Sequence, residues 1–122
     1  MSNQTISDHD TPDPWMIAAN GRFYLTFTCG DRIEIWASDN MEDFRSAVKS
    51  DIYTCSAQPG KGNPSHRTTM LRSSIQDPLD PNGWAFLGPL KGLPDHWHID
   101  ATVFTMNNRL FCVYSGWPLW RS

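Results

Sequence analysis

The chain has 122 residues, which sets an upper limit of one domain. A hydrophobic fraction of 39% and a charged fraction of 19% are ordinary for a globular protein and exclude an intrinsically disordered one. A net charge of −3, without any cluster of Lys and Arg, argues against nucleic acid as a partner.

The N-terminus and the cysteines set further bounds. MSNQTISDHD lacks the apolar core of a signal peptide, and no stretch is long and apolar enough to span a bilayer. We therefore expect no membrane partner, and the sequence does not indicate a cellular compartment. The three cysteines have no CxxC spacing, which excludes a disulfide framework and a cysteine zinc site. Cys29 and Cys112 lie in apolar runs and are expected to be small core residues.

The first predicted elements are four strands. WMIAANGRFYLTFT contains two apolar runs around Asn20-Gly21, a dipeptide that favours a two-residue hairpin turn. In RIEIWASDN, every second residue is a small or branched apolar one, which predicts a third strand with one buried face. RSAVKS is predicted as a fourth strand at the sheet edge. The predicted buried face of the third strand carries Ile33, Ile35 and Ala37, and the predicted exposed face carries Glu34, Trp36 and Ser38.

The remaining elements follow in chain order. Residues 1–11 are predicted to be a disordered tail, and residues 12–118 the folded domain. Residues 56–65 carry no periodicity and predict a loop. HRTTMLRSS predicts a strand, IQDPLDPNG a turn region with two Asp-Pro steps, and WAFLGPLKG another strand. HIDATVFTMNNRLFCVYSGW predicts a second hairpin.

The second hairpin repeats the first at a constant offset of 87 residues. The matching pairs are Asp13 and Asp100, Asn20 and Asn107, Arg22 and Arg109, and Phe27 and Tyr114. Each copy is an inner hairpin headed by an acid. Four-stranded sheets that recur along a chain are typical of β-propeller blades. The third and fourth strands, over residues 32–49, form a first outer hairpin that follows the first inner one. The second outer pair, over residues 66–91, has no inner hairpin before it, so the sequence predicts an all-β, partial propeller.

The two acids suggest a chemistry. The innermost strands of a propeller line its channel, so acids at the start of inner strands would face one cavity. Paired carboxylates across a pocket are what glycoside hydrolysis needs. Asp is also common at turns, where its side chain binds local backbone N–H groups, and spacing alone leaves both interpretations open. The 12% of aromatic residues likewise fits core packing or sugar stacking.

Four stretches resemble successive pieces of glycoside hydrolase family 43, and above all its arabinofuranosidase-like members. They are DPWMIAANGRFYLTFTCGDRIEIWAS, SHRTTMLRSS, DPNGWAFLGPLKG and WHIDATVFTMNNRLFCVYSGWP, and they cover most of residues 12–118. The resemblance implies a five-bladed propeller, of which this chain would hold about two to two and a half blades. It implies inverting hydrolysis of arabinan or of arabinofuranosyl and xylosyl side chains, with no cofactor or metal.

The resemblance also implies residue roles. Asp13 falls where the family has its general base. Asp100 falls where the family has the carboxylate that modulates the pKa of the general acid and orients the substrate. Trp15 and Trp117 flank these positions and are expected to bind the sugar.

The chain also departs from the family pattern at two motifs. The Trp-Ala-Pro-Glu type motif and inner hairpin expected before SHR are absent, as is the later Glu-Gly-Pro motif that holds the general acid. The only glutamates are Glu34 and Glu42, both in the first outer hairpin. We therefore expect an internally deleted and C-terminally truncated fragment that is catalytically inactive or nearly so, because the general-acid Glu is missing. The alternatives are a non-catalytic carbohydrate-binding remnant and a misread or truncated gene product.

The histidines near the second hairpin are candidate metal ligands. His96 and His98 alternate beside Asp95 and Asp100, but no third convincing ligand accompanies them. We expect both to be structural or solvent-exposed, and His66 to have a hydrogen-bonded structural role.

Overall fold

The structure is a computed structural model that describes residues 5–54, 68–93 and 98–116. This part of the chain contains eight β-strands, one 3₁₀ turn and no α-helix. None of its helical segments has the length and apolar character needed to cross a membrane. The strands are β1 (Trp15–Ala19), β2 (Arg22–Thr26), β3 (Arg32–Ser38), β4 (Val48–Thr54), β5 (Thr69–Ser73), β6 (Trp84–Pro89), β7 (His98–Met106) and β8 (Arg109–Gly116), and the 3₁₀ turn is Pro81–Gly83.

The chain divides into two compact units. The first contains residues 1–59 and 73–85, and the second residues 60–72 and 86–122. Strands β1 to β4 form one antiparallel sheet in chain order, β5 pairs with β6, and β7 pairs with β8. The predicted strand order and both predicted hairpins are confirmed.

The first hairpin turns where the sequence predicted. Asn20 and Gly21 both have positive φ, 53° and 73°, and Ala19 pairs with Arg22 across them. This is the backbone of a two-residue turn whose twist matches that of the flanking strands. Asn is among the few residues other than glycine that adopt such a φ readily, which is why Asn-Gly predicts the turn well.

The fourth strand begins later than predicted. Residues 45–47 lie in a turn, because Ser46 donates to Asp43 Oδ2 through its hydroxyl at 2.6 Å and to Oδ1 through its backbone N–H at 3.3 Å. The Ser46 hydroxyl, followed by that N–H, holds the pKa of Asp43 below its ordinary value. An aspartate that binds the backbone three residues ahead competes with strand pairing. Strand β4 therefore starts at Val48.

The prediction for the faces of β3 is confirmed for Ala37, which is 1% exposed, and wrong for Trp36. Trp36, placed on the exposed face, is 1% exposed and belongs to the core with Leu25, Phe27 and Phe44. The Phe27 ring meets the Trp36 indole edge-on at 5.0 Å, and Lys49 Nζ lies 4.0 Å from the centre of the same ring. The core therefore also covers the Trp36 end of the face that the alternation assigned to solvent, because the large apolar surface of an indole is favourable to bury.

Glu34 supports this buried tryptophan. The Trp36 indole N–H donates to Glu34 Oε2 at 2.9 Å, and Arg32 Nε donates to Oε1 at 2.9 Å. Burial raises the pKa of Glu34, but the hydrogen bonds from Trp36 and Arg32 outweigh it, so the pKa lies below its ordinary value. The carboxylate thus satisfies an indole donor that would otherwise be buried without a partner.

The N-terminal segment packs against the rest of the first unit. Arg45 donates to the Thr5 carbonyl at 2.6 Å and to Asp8 Oδ1 at 3.1 Å. Ile6 packs against the core, and the His9 ring lies 6.0 Å from the Phe27 ring. Residues 1–4 lie outside the described residues, and the division into a disordered tail over 1–11 and a domain over 12–118 stays a prediction.

The second unit holds the other hairpin. Asn107 and Asn108 have φ values of 51° and 59°, and Met106 pairs with Arg109 across them. In the first unit, in the turn region before β6, Asp80 Oδ1 accepts the backbone N–H of Asn82 at 2.9 Å, which caps the 3₁₀ turn as expected from the Asp-Pro step. The loop predicted over residues 56–65 lies outside the described residues.

We expect Glu34→Gln to lower the free energy of unfolding at about pH 7 by about 2 kcal/mol, because a charged acceptor of two hydrogen bonds is lost. The folded pKa of Glu34 is depressed, so its contribution is present above the unfolded pKa and is lost as pH falls through the folded pKa. Urea unfolding of both proteins at neutral and acidic pH measures this difference.

The matched control is Glu42→Gln, since Glu42 is exposed in the turn between β3 and β4. It should change stability by less than about 0.5 kcal/mol. A gap between wild type and Glu34→Gln that stays constant on acidification would contradict the assignment.

Candidate functional site

Asp13 and Asp100 share an unusual backbone conformation. Their φ values are 54° and 56°, in the left-handed region. Few residues other than glycine adopt it, and aspartate is among those that do. The carboxylates predicted as catalytic thus occupy equivalent strained positions, 87 residues apart.

Each of the two acids lies in a β-bulge. In the second hairpin, Ile99 pairs with Ser115 and Thr102 with Val113, so Asp100 and Ala101 stand opposite one residue. A bulge bends its strand and changes the direction of a side chain, and bulges are common beside active sites.

The first hairpin has the same bulge. Trp15 pairs with Thr26, and the Thr28 N–H donates to the Pro12 carbonyl at 3.0 Å. Asp13 and Pro14 therefore stand opposite one residue, as Asp100 and Ala101 do. A bulge tolerates Pro14, since the extra residue makes no ladder hydrogen bond.

The repeat extends through the whole register of the hairpins. The pair Trp15 and Thr26 corresponds to Thr102 and Val113, and the pair Ala19 and Arg22 corresponds to Met106 and Arg109. Every pair between has its counterpart 87 residues on. The two hairpins are copies of one backbone.

Neither carboxylate caps a local turn in the described part of the chain. Asp13 Oδ2 accepts from the Thr28 hydroxyl at 3.1 Å, across the bulge, and no backbone N–H donates to Asp13 or Asp100 there. Both residues are exposed. Capping of a local turn, the structural alternative for these aspartates, is therefore not what holds them.

His98 lies two residues before Asp100 and is 2% exposed. Its Nδ1 accepts the Thr68 N–H at 2.7 Å, and its carbonyl accepts the Thr68 hydroxyl at 3.3 Å. The ring meets Tyr114 edge-on at 5.8 Å. These contacts fit the expected structural role, although the sequence pattern did not reveal the burial. His66, Asp95 and His96 lie outside the described residues, within which no group of three potential metal ligands occurs.

One of the two tryptophans predicted to bind the sugar, Trp15, lies among the described residues. Trp15 is the first residue of β1, two positions after Asp13, and is 52% exposed. An exposed indole beside a carboxylate is a surface on which a sugar ring can stack. Trp117 lies outside the described residues.

The two glutamates lie elsewhere. Glu34 is held by Arg32 and Trp36 with a lowered pKa, whereas a general acid must carry its proton at the working pH. Glu42 lies in the turn after β3. A cavity of about 140 Å³ is lined by Arg45, Lys49 and residues 6–9, and Asp13 is not among its lining residues.

Comparison with known proteins adds a likeness of fold. No protein-family model matches the chain, and no curated protein matches its sequence. The chain is similar to the crystal structure of alpha-L-arabinofuranosidase from Lactobacillus brevis, with a TM-score of 0.75 and 18% identity. The likeness covers 89% of this chain and 45% of that one, so this chain spans less than half the length of its neighbour. It confirms the predicted fold class, all-β and consistent with a partial propeller.

We expect Asp13→Asn to change the free energy of unfolding by less than about 0.5 kcal/mol, because Asn also tolerates a positive φ. Asp13→Val should cost about 2 kcal/mol, because a β-branched residue is strained there. Urea unfolding measures both.

The matched control is Asp10→Val, which makes the same chemical change at an exposed position without a positive φ and should be near neutral. Equal costs at positions 10 and 13 would show that the left-handed backbone at Asp13 does not discriminate between side chains.

Proposed function

We propose that this chain carries part of the active site of an inverting glycoside hydrolase of the family 43 type, acting on arabinan or on arabinofuranosyl or xylosyl side chains. The observation that carries the proposal is the pair of exposed aspartates in equivalent left-handed bulges, 87 residues apart. The fold likeness to an arabinofuranosidase supports it.

Asp13 is the proposed general base. The Thr28 hydroxyl donates to Oδ2, which leaves Oδ1 to accept the proton of a water molecule. As that proton moves to Asp13, the water oxygen attacks the anomeric carbon and the bond to the leaving oxygen breaks. Attack from the face opposite the leaving group inverts the configuration.

Asp100 is the proposed modulator of the proton donor. A charged carboxylate near an acid raises the pKa of that acid, which keeps it protonated until the leaving oxygen needs the proton. The exposed side chain of Asp100, directed by its bulge, suits this role. Trp15, and by the resemblance Trp117, would contact the sugar.

The proton donor itself is the missing component. Glu34 supports Trp36 and Arg32, and Glu42 is exposed in an outer turn. We therefore propose that these 122 residues alone do not cleave glycosides whose leaving group needs protonation. A non-catalytic carbohydrate-binding role is the second candidate, and the exposed Trp15 beside Asp13 favours it.

An activated substrate separates these functions. In 2,4-dinitrophenyl α-L-arabinofuranoside the leaving phenolate needs no proton, so a base without its acid partner can act on it. We expect slow hydrolysis of this substrate with inversion, observed by NMR of the first-formed sugar, and none of arabino-oligosaccharides. Asp13→Asn should lower the rate by about 100-fold or more.

The matched control is Asp10→Asn, an exposed aspartate outside the bulge, which should keep the wild-type rate. An unchanged rate in Asp13→Asn would refute the general base, and cleavage of arabino-oligosaccharides would refute the missing acid. Saturable oligosaccharide binding that survives Asp13→Asn, without hydrolysis of either substrate, would favour the binding function.

A further inference from the structure

A hydroxyl group lies against the carboxylate of Asp13, across the bulge of the first hairpin. Thr28 Oγ1 donates to Asp13 Oδ2 at 3.1 Å, and in the described part of the chain no other donor reaches this carboxylate. A hydrogen bond to an ionised acceptor is among the stronger kinds in proteins. One of the two carboxylate oxygens therefore has a fixed partner, whereas the other has none among the described residues.

The backbone fixes both ends of this hydrogen bond. The Thr28 N–H donates to the Pro12 carbonyl at 3.0 Å, next to the left-handed Asp13. The residue before Thr28, Phe27, is 6% exposed and packs in the core. A β-branched side chain such as threonine has a restricted χ1, so a fixed backbone also limits where its hydroxyl can lie. The Asp13 carboxylate is therefore held by a donor whose own position is anchored by the core.

The second hairpin has a hydroxyl at the same register position but lacks the hydrogen bond. Ser115 lies 87 residues after Thr28 and pairs with Ile99 at the equivalent point of the bulge. Among the described residues, no donor reaches the Asp100 carboxylate. Asp13 and Asp100 thus share a backbone conformation and differ in what holds their side chains.

This difference matches the demands of the two proposed roles. A general base must direct one oxygen at the proton that it removes, within about 3.2 Å of the water oxygen. A carboxylate that acts through its charge has an effect that falls off slowly with distance and needs no single direction. The acid with one oxygen held in place is therefore the one suited to proton transfer.

We infer that Thr28 is a positioning residue for the general base, an inference that rests on the proposed function of Asp13. Its hydroxyl holds Oδ2, so that Oδ1 faces the attacking water. In the reaction, Oδ1 takes one proton of the water, the water oxygen bonds to the anomeric carbon, and the leaving oxygen departs with the electron pair of the broken bond. A misplaced base slows this step without weakening the binding of the sugar.

Thr28→Val removes the hydroxyl and keeps the size and branching of the side chain. On 2,4-dinitrophenyl α-L-arabinofuranoside we expect kcat to fall by about tenfold or more and KM to change by less than about twofold, because the orientation of the base is lost and the sugar contacts are kept. Thr28→Ser keeps the hydroxyl and should recover most of the lost rate. The matched control is Thr54→Val, the same change at an exposed residue of β4, which should keep the wild-type kcat.

A second measurement does not depend on hydrolysis. In the full chain, the NMR couplings between the Hα and Hβ protons of Asp13 report its χ1 rotamers. They should indicate one rotamer in the wild type and in Thr28→Ser, and an average over rotamers in Thr28→Val. The urea midpoints of all three variants should match that of the wild type, since Thr28 and Thr54 are exposed.

The overturning results separate this inference from the proposed function. A wild-type kcat in Thr28→Val, while Asp13→Asn is slow, would overturn the role of Thr28 and leave the general base in place. A rate in Thr28→Ser as low as in Thr28→Val would also overturn it, since the hydroxyl would not be the group that matters. Rotamer-averaged couplings in the wild type would do the same. An absence of hydrolysis by the wild type would refute the proposed function itself, and the positioning role with it.

Discussion

Two residues of each hairpin have a left-handed backbone conformation, and together they fix the strand register on which the rest of the structure depends. In each copy an aspartate and an asparagine seven positions apart have positive φ. The asparagine closes a two-residue turn and so fixes which residues pair. The aspartate adds one residue to its strand and ends that register. Because side chains alternate with a period of two, a slip of one residue would move Leu25 and Phe27 from the core to the opposite face.

The core of the first unit depends on this register and on one hydrogen bond. Pairing Leu25 with Trp36 brings Trp36 and Phe27 together, but burial of an indole N–H without an acceptor would be costly. Glu34 is that acceptor, and Arg32 compensates its charge. A carboxylate committed in this way cannot hold a proton at neutral pH, so the packing of this unit removes Glu34 from acid chemistry.

The sequence predicted what local rules determine. Asn20-Gly21 and the apolar runs on either side were enough for the first hairpin, and the 87-residue offset for the second. The local rules failed where tertiary contacts determine which face is buried and where a strand begins. Trp36 was assigned to solvent because alternation cannot show which face a sheet buries. The fourth strand was predicted to start with RSAVKS and in fact starts at Val48, because the turn made by Asp43 competes with strand pairing. Cys112 was expected in the core and is exposed. Strand β3 pairs with the edge at its counterpart Leu25, whereas no described strand pairs with the edge at Cys112.

The bulges were also beyond prediction, yet they are the most informative feature of the candidate site. Pro14 after Asp13 is consistent with a bulge, but Ala101 after Asp100 gives no such signal. Only the paired register shows that both acids have the same backbone. The strands beside the two hairpins differ, one edge being covered by β3 and the other open among the described residues, and the bulge is the same in both. The backbone conformation at each acid therefore does not depend on which strand lies beside the hairpin. Two such hairpins hold their acids on the same backbone, which is what a site assembled from repeated elements requires.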